Sequence, residues 1–204
     1  KLGDDELGCF FRRDLETNKI TPQLLTSQSN SGRAIALISP DSERTFATCL
    51  GAAIEMGADD LTGDLFKGYH YLHIEGYLVQ NHELIIKAAQ LARSNGLKVS
   101  LDMASYNIVE ENLDFLEDFV EKYVDLVFAN EEEAKAFTGN DPPEAVNKLA
   151  SFTGIAVVKT GKDGSMVQKG SEIWKIDPLK ASPVDTTGAG DAYAAGFLFG
   201  LASG

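Results

Sequence analysis

Cysteine, positive charge and long apolar runs are all scarce in this chain, and each scarcity closes off a class of protein. There are two cysteines, Cys9 and Cys49, with no C-x-x-C and no paired histidine, so neither a zinc site nor a disulfide framework is indicated. Both thiols read as small buried apolar side chains in a reducing cytoplasm. No apolar run approaches the roughly 18 residues of a membrane span, and Lys1-Leu2-Gly3-Asp4-Asp5-Glu6 is no secretory leader. Lys and Arg number 18 against 31 acids, the net charge is −13, and no basic run occurs. That balance disfavours nucleic acid and anionic membrane as partners. His70, His73 and His82 are not paired with Ser or Cys at hydrolase spacing and read as structural or surface groups. Two phosphate loops are missing as well. The residue five before Gly161 is Ala156 and Asp163 follows Lys162, which rules out G-x-x-x-x-G-K-[ST]; no G-x-G-x-x-G follows any strand, which disfavours a dinucleotide oxidoreductase.

What remains is an ordinary globular composition, 44% hydrophobic and 24% charged over 204 residues, enough for one full core. The acid-rich start with Leu7, Phe10, Phe11 and Leu15 at helical spacing predicts an amphipathic helix. Three short β-like runs follow, near Leu24 to Ser27, Arg33 to Ser39 and Arg44 to Leu50. Pro40-Asp41-Ser42-Glu43 between the last two predicts a hairpin, on pattern alone an ordinary edge hairpin. Strands are then expected at 71–74, 97–101, 124–129 and 155–158, and helices at 81–94, 109–122, 131–137 and 143–152. Strands alternating with helices indicate right-handed βαβ units and a parallel sheet covered on both faces. Such sheets bind ligands beyond the carboxyl ends of their strands, where Asp102, Asn130 and Thr160-Gly161 all fall. A second hairpin is expected from Ser165 to Asp177, around Gly170.

One stretch organises the rest. Asp185-Thr186-Thr187-Gly188-Ala189-Gly190-Asp191 follows an extended segment closed by Pro183 and Val184, and precedes a helix-like run of small and apolar residues through Leu201. Gly188 and Gly190 therefore sit where a loop becomes the first turn of a helix. The first amides of a helix lack internal acceptors and carry partial positive charge, and glycines let an anion approach them. A carboxylate at Asp191 beside an anion site suits proton abstraction from a hydroxyl that attacks a phosphate. On these grounds alone, a plain tight turn with a favourable first-turn acid stands at even weight with the functional reading.

The seven residues Asp185 to Asp191 resemble the C-terminal signature of the PfkB (ribokinase-like) carbohydrate and nucleoside kinases. The resemblance implies an α/β fold, a three-layer αβα sandwich with a mostly parallel central sheet plus a small β lid. It implies that Gly188, Ala189 and Gly190 form an anion hole for the transferring phosphate and that Asp191 is the catalytic base. Asn130-Glu131-Glu132-Glu133 reads by itself as an N-cap with first-turn acids, worth about 1 kcal/mol. Its likeness to the family's Asn-x-x-Glu element implies that Asn130 and Glu133 organise Mg2+ and phosphate, Glu133 through water. Lys159-Thr160-Gly161-Lys162-Asp163-Gly164 resembles the nucleotide-side loop, which puts Lys159, Gly161, Gly164 and Thr187 on ATP. The loop from Asp185 to Thr187 resembles the part of the family that binds K+, with Asp185 as its ligand. Asp102 either caps its own turn or faces the cleft.

The hairpin from Arg33 to Leu50 and the strand end Ile74-Glu75-Gly76-Tyr77-Leu78 bear on the substrate, and the segment Ser42 to Ala53 is similar to the lid of adenosine-kinase-like members. Phe46, Thr48 and Leu50 recur at every second position, so one apolar face would cover a purine; packing of that face onto its own domain is the equal alternative. The expectation is one kinase domain over 1–204 with a hairpin lid around 20–50, monomeric or joined in a lid-mediated homodimer. Its acceptor would be adenosine, or a sugar such as ribose or fructose. A sugar-phosphate acceptor would need basic groups, for which Arg44 is the obvious candidate. A non-catalytic α/β protein that binds a phosphorylated metabolite is the reading from another class. The family's proteins run longer at both ends, and this chain starts without Met, so a fragment is expected.

Overall fold

A carboxylate in the third turn of sequence ties the beginning of the chain together. The computed structural model describes residues 1–38, 44–182 and 185–204, with the side chain of Arg44 excluded. The expected turn at Pro40-Asp41-Ser42-Glu43 and the segment end at Pro183-Val184 lie outside the described residues, as does any role of the Arg44 side chain. The chain divides into two compact units, Lys1–Asp60 and Leu61–Gly204. In the first, β1 (Leu2–Gly3) leads into α1 (Glu6–Thr17) and pairs in parallel with β2 (Thr26–Ser27). Asp5, extended at φ −135°, caps α1 by accepting from the Gly8 amide at 2.8 Å. It also accepts from the Ser31 amide and the Ser31 hydroxyl, both at 2.7 Å. Those bonds, the Gly8 amide first, hold its carboxyl below the usual aspartate range.

The expected helix is therefore present, but its apolar stripe is not interior: α1 buries Gly8 alone, and Leu7, Phe10 and Phe11 stay exposed. Strands β3 (Arg33–Ile38) and β4 (Arg44–Cys49) pair antiparallel as a two-stranded sheet of their own, not as the edge of a larger one. Both faces of β3 are exposed. Cys9 and Cys49 are accordingly free and exposed, which corrects the expectation that they are buried. Each sits on an element whose outer surface meets no second layer within this unit.

The second unit is built on a six-stranded sheet in the order β10-β9-β8-β7-β6-β5. Its strands are β5 (Tyr71–Glu75), β6 (Lys98–Asp102), β7 (Leu126–Asn130), β8 (Ile155–Lys159), β9 (Ser165–Lys169) and β10 (Glu172–Ile176). The first four run parallel, and β9 and β10 complete the edge antiparallel. Between them lie α2 (His82–Ser94), α3 (Tyr106–Glu111), α4 (Leu113–Tyr123), α5 (Glu131–Thr138) and α6 (Pro142–Phe152), and α7 (Ala189–Ser203) follows. The single helix expected at 109–122 is in fact two. Asn112 leaves helical geometry at φ −124°, and its side-chain amide donates to the Ile108 carbonyl at 2.9 Å, ending α3.

Side-chain alternation shows why both faces of the sheet are covered. Val127 and Ala129 of β7, with Ala156 and Val158 of β8, join the large core beneath α2 and α4 to α6. Leu126, Phe128 and Val157 point the other way, where Ala194 of α7 meets them. Phe128 is fully buried there, edge-on to Phe197 at 5.5 Å and to Tyr193 at 6.4 Å between ring centroids. The layered α/β architecture expected from the sequence is thus present. Among the described residues no helix is long and apolar enough to cross a membrane. Phe128→Ala should remove about 3–5 kcal/mol of unfolding free energy. Urea titration followed by far-ultraviolet circular dichroism measures it, and a loss under about 1 kcal/mol would mean that α7 adds little to the fold.

Candidate active site

Parallel register brings four polar residues to one edge of the sheet. Glu75 pairs in register with Asp102, and Asn130 with Lys159, so the ends of β5, β6, β7 and β8 carry a carboxylate, a carboxylate, an amide and an ammonium. The residues just before them, Ile74, Leu101, Ala129 and Val158, are buried, which seats the polar groups at the rim of the core. Lys159 Nζ lies 2.6 Å from Asp102 Oδ2, with the side chains 16% and 8% exposed. At that burial the attraction between the two charges largely offsets what each loses in hydration. The other oxygen of Asp102 accepts from the Ala104 amide at 3.2 Å. Asp102 thus caps its own turn with one oxygen and holds Lys159 with the other.

The turn it caps is strained. Ala104 has φ 61°, in the left-handed region that disfavours a side chain. Next to it, a Cβ on Gly76 would come within 2.6 Å of the carbonyl oxygens of Asp102 and Met103. Ala104 carries no spacing signal in the sequence, and the strand end that includes Gly76 gives no sign of this contact.

Asn130 and Glu133 form a reciprocal capping box at the start of α5. The Asn130 Oδ1 accepts from the Glu133 amide at 2.9 Å, while Glu133 accepts from the Asn130 amide and from Asn130 Nδ2, each at 2.7 Å. Glu133 is 3% exposed. Burial pushes its carboxyl above the usual glutamate range, with Asp102 acting in the same direction and Lys159 and the Asn130 amide opposing. Each of its oxygens is held by a neutral donor and keeps a lone pair for one more partner. That suits a hydrated cation carried by phosphates better than direct ligation. Among the described residues no cluster of three His, Cys, Asp or Glu could hold a metal by itself.

Beyond the sheet, the loop into α7 is ordered by Asp185, whose Oδ1 accepts from the Thr187 amide at 2.8 Å. Gly188 adopts φ 73° and precedes a helix that has no side-chain cap. The Ala189 amide donates to Thr186 O at 3.2 Å, closing the turn. Lys159 Nζ stands 3.4 Å from where a Cβ on Gly190 would be, so the ammonium of β8 reaches the first turn of α7. Asp191 is exposed in that same turn. Its charge also reaches the end of β5: Glu75 is raised above the usual glutamate range by burial first, then by Asp102 and Asp191, with His73 opposing. Glu75, Asp102 and Asp191 therefore share one acidic locality, with Lys159 paired to Asp102 within it. Sequence places Glu75 at a strand end, but its register with Asp102 follows only from the strand pairing.

Gly161 and Gly164 flank the tight turn between β8 and β9 at φ 53° and 92°. The Thr160 amide donates to Gly164 O at 2.9 Å, and a Cβ on Gly164 would strike the Ile176 carbonyl, so packing alone demands glycine there. Phe46, Thr48 and Leu50 lie in the other unit. Phe46 and Thr48 share one face, paired with Ala36 and Ala34, and Leu50 falls just past β4; all three are exposed.

A three-layer α/β fold with a glycine-rich helix start at the strand ends defines a class of phosphate-handling protein, and comparison with known proteins makes it specific. The family model described as pfkB family carbohydrate kinase matches residues 1–204. The chain belongs to that family. It is 36% identical over 217 residues to an ATP-dependent 6-phosphofructokinase of Thermoanaerobacterium thermosaccharolyticum, covering 100% of this chain and 66% of the relative. Among solved structures, an adenosine kinase from Sinorhizobium meliloti superposes with TM-score 0.90 at 32% identity, covering 100% of this chain and 64% of that one. A probable sugar kinase from Rhizobium etli gives TM-score 0.91 at 30% identity, with 98% and 63% covered. The chain thus spans a little under two-thirds of the length of these two structures.

Because the folded-state pKa of Glu133 is raised, the folded protein binds a proton there more readily than the unfolded chain. The charged carboxylate therefore costs stability above its folded pKa, and the cost disappears as pH falls toward the ordinary value of 4.5. The stability of the wild type relative to Glu133→Gln should fall as pH rises from 4.5 toward neutrality. Denaturant titrations of both proteins across that range give the slope, and a flat or rising difference would rule out the burial effect.

Proposed function

We propose that this chain carries the phosphoryl-transfer centre of an ATP-dependent kinase acting on an alcohol. The observation that supports it most is the start of α7, where Gly188 turns left-handed, Gly190 lies against the Lys159 ammonium and Asp191 occupies the first turn. In this reading Asp191 takes the proton of the acceptor hydroxyl as its oxygen bonds to the γ-phosphorus of ATP. The bond from that phosphorus to the bridging oxygen breaks, and ADP leaves with the electron pair. Backbone amides from Gly188 to Gly190 and the Lys159 ammonium lower the energy of the charge spread over the phosphoryl oxygens. Asn130 and Glu133 would hold hydrated Mg2+ through water, which supplies further neutralisation of the phosphates. Gly161, Gly164 and Thr187 would line the nucleotide, and Asp185 would hold a K+ ion behind the loop.

For the acceptor we favour a nucleoside, adenosine first. The support is the exposed apolar face of Phe46 and Leu50, which suits a planar base, and the likeness to the Sinorhizobium meliloti adenosine kinase. A sugar or sugar phosphate is the second reading, favoured by the 36% identity to an ATP-dependent 6-phosphofructokinase. A binding protein without turnover is disfavoured by Asp191, since a carboxylate beside an anion weakens plain anion binding.

ATP consumption with Mg2+ and adenosine, ribose, fructose or fructose 6-phosphate offered separately sorts these readings. Turnover with adenosine alone is expected; turnover with a sugar alone would keep the chemistry and discard the nucleoside. Asp191→Asn should lower kcat by about 10³-fold or more while the melting temperature and the KM for ATP stay close to wild type. Retention of more than about a tenth of the activity would remove Asp191 from the role of base.

A further inference from the structure

Lys159 and Asp102 stand on β8 and β6, with β7 between them. Their side chains nevertheless meet at 2.6 Å across the end of the intervening strand. Holding a lysine in one geometry costs rotamer freedom, and withdrawing both charges from water costs hydration, so a buried pair is a weak source of stability. Where the pair puts its ammonium is more informative. Lys159 Nζ is 3.4 Å from the site of a Cβ on Gly190, where any side chain would crowd it. Asp102 is itself fixed, one oxygen on the ammonium and the other on the Ala104 amide at 3.2 Å, within a turn that tolerates φ 61° at a non-glycine residue. A carboxylate braced on its own backbone and joined to a long flexible cation acts as a bracket for that cation. Glu133 is within electrostatic reach of the same lysine and would compete for it if the bracket were removed.

We propose that Asp102 is a positioning residue for phosphoryl transfer: its carboxylate holds the Lys159 ammonium at Gly190, where the ammonium meets the oligophosphate of the nucleotide. This rests on the kinase reading and adds to it a residue that touches neither substrate nor nucleotide. Asp102 acts through Lys159, so its removal should matter only while Lys159 is present.

The test uses Asp102→Ala, Lys159→Met and the double variant in the full chain, with two readouts. Pulse acetylation without nucleotide, read by mass spectrometry, should modify Lys159 at least about fivefold faster in Asp102→Ala, because loss of the carboxylate 2.6 Å away uncovers and frees the amine. Inorganic tripolyphosphate should protect Lys159 in the wild type and lose that protection in Asp102→Ala. In turnover, Asp102→Ala should lower kcat by about 10- to 100-fold with the KM for ATP within about threefold. In the Lys159→Met background the same change should produce no further loss. Unchanged acetylation, or a second loss of the same size in that background, would overturn the proposal, since a merely structural Asp102 would damage both backgrounds alike. A wild type that consumes no ATP with any acceptor would fail the kinase reading instead. The acetylation and tripolyphosphate results would then decide this inference alone: protection independent of Asp102, or none, would overturn it.

Discussion

A parallel strand buried on both faces can place charged side chains only at its ends, and the second unit of this chain is arranged around that constraint. The middles of β7 and β8 are apolar, and His73 of β5 and Ser100 of β6 satisfy each other at 2.8 Å, so the groups that carry charge gather at one rim. The gathering is electrostatically costly, because Asp102, Lys159 and the nearby Glu133 bring charge into shelter from water. The ion pair of Asp102 with Lys159 and the capping box of Asn130 with Glu133 are how the fold bears that cost. Each ties a charge to a backbone turn as well as to a partner, which makes the rim rigid before any ligand arrives.

Much of this was legible in the sequence, for a specific reason. The βα alternation is written in apolar runs of strand length separated by helical periods, and burial on both faces enforces it. The motif from Asp185 to Asp191 stood out through its likeness to a family signature, since glycine spacing and a first-turn acid alone left a plain tight turn at even weight. The relation between Asp102 and Lys159 was not. They are 57 positions apart in sequence, and only the strand order places them over one intervening strand. The surroundings of Glu75 were hidden in the same way, since they come from register with Asp102 and from the charge of Asp191.

The first unit shows the opposite limit. Helical periodicity located α1 correctly, yet its apolar stripe is exposed, and both cysteines with it. Periodicity reports which residues share a face, and says nothing about whether a second layer lies against that face. Asp5 marks the other gap: its three bonds to Gly8 and Ser31 depend on a residue far along the chain, so its acidity read only as a helix start.

The contact at Gly76 carries a mechanical consequence. Backbone meets backbone there at 2.6 Å from an ideal Cβ position, with no side chain between to act as a cushion. The exits of β5 and β6 therefore pack backbone to backbone, and neither can press toward the other without displacing it. Glu75 and Asp102 flank that joint. A ligand that pressed one strand end toward the other would move both, so the acidic half of the rim answers compression as one body.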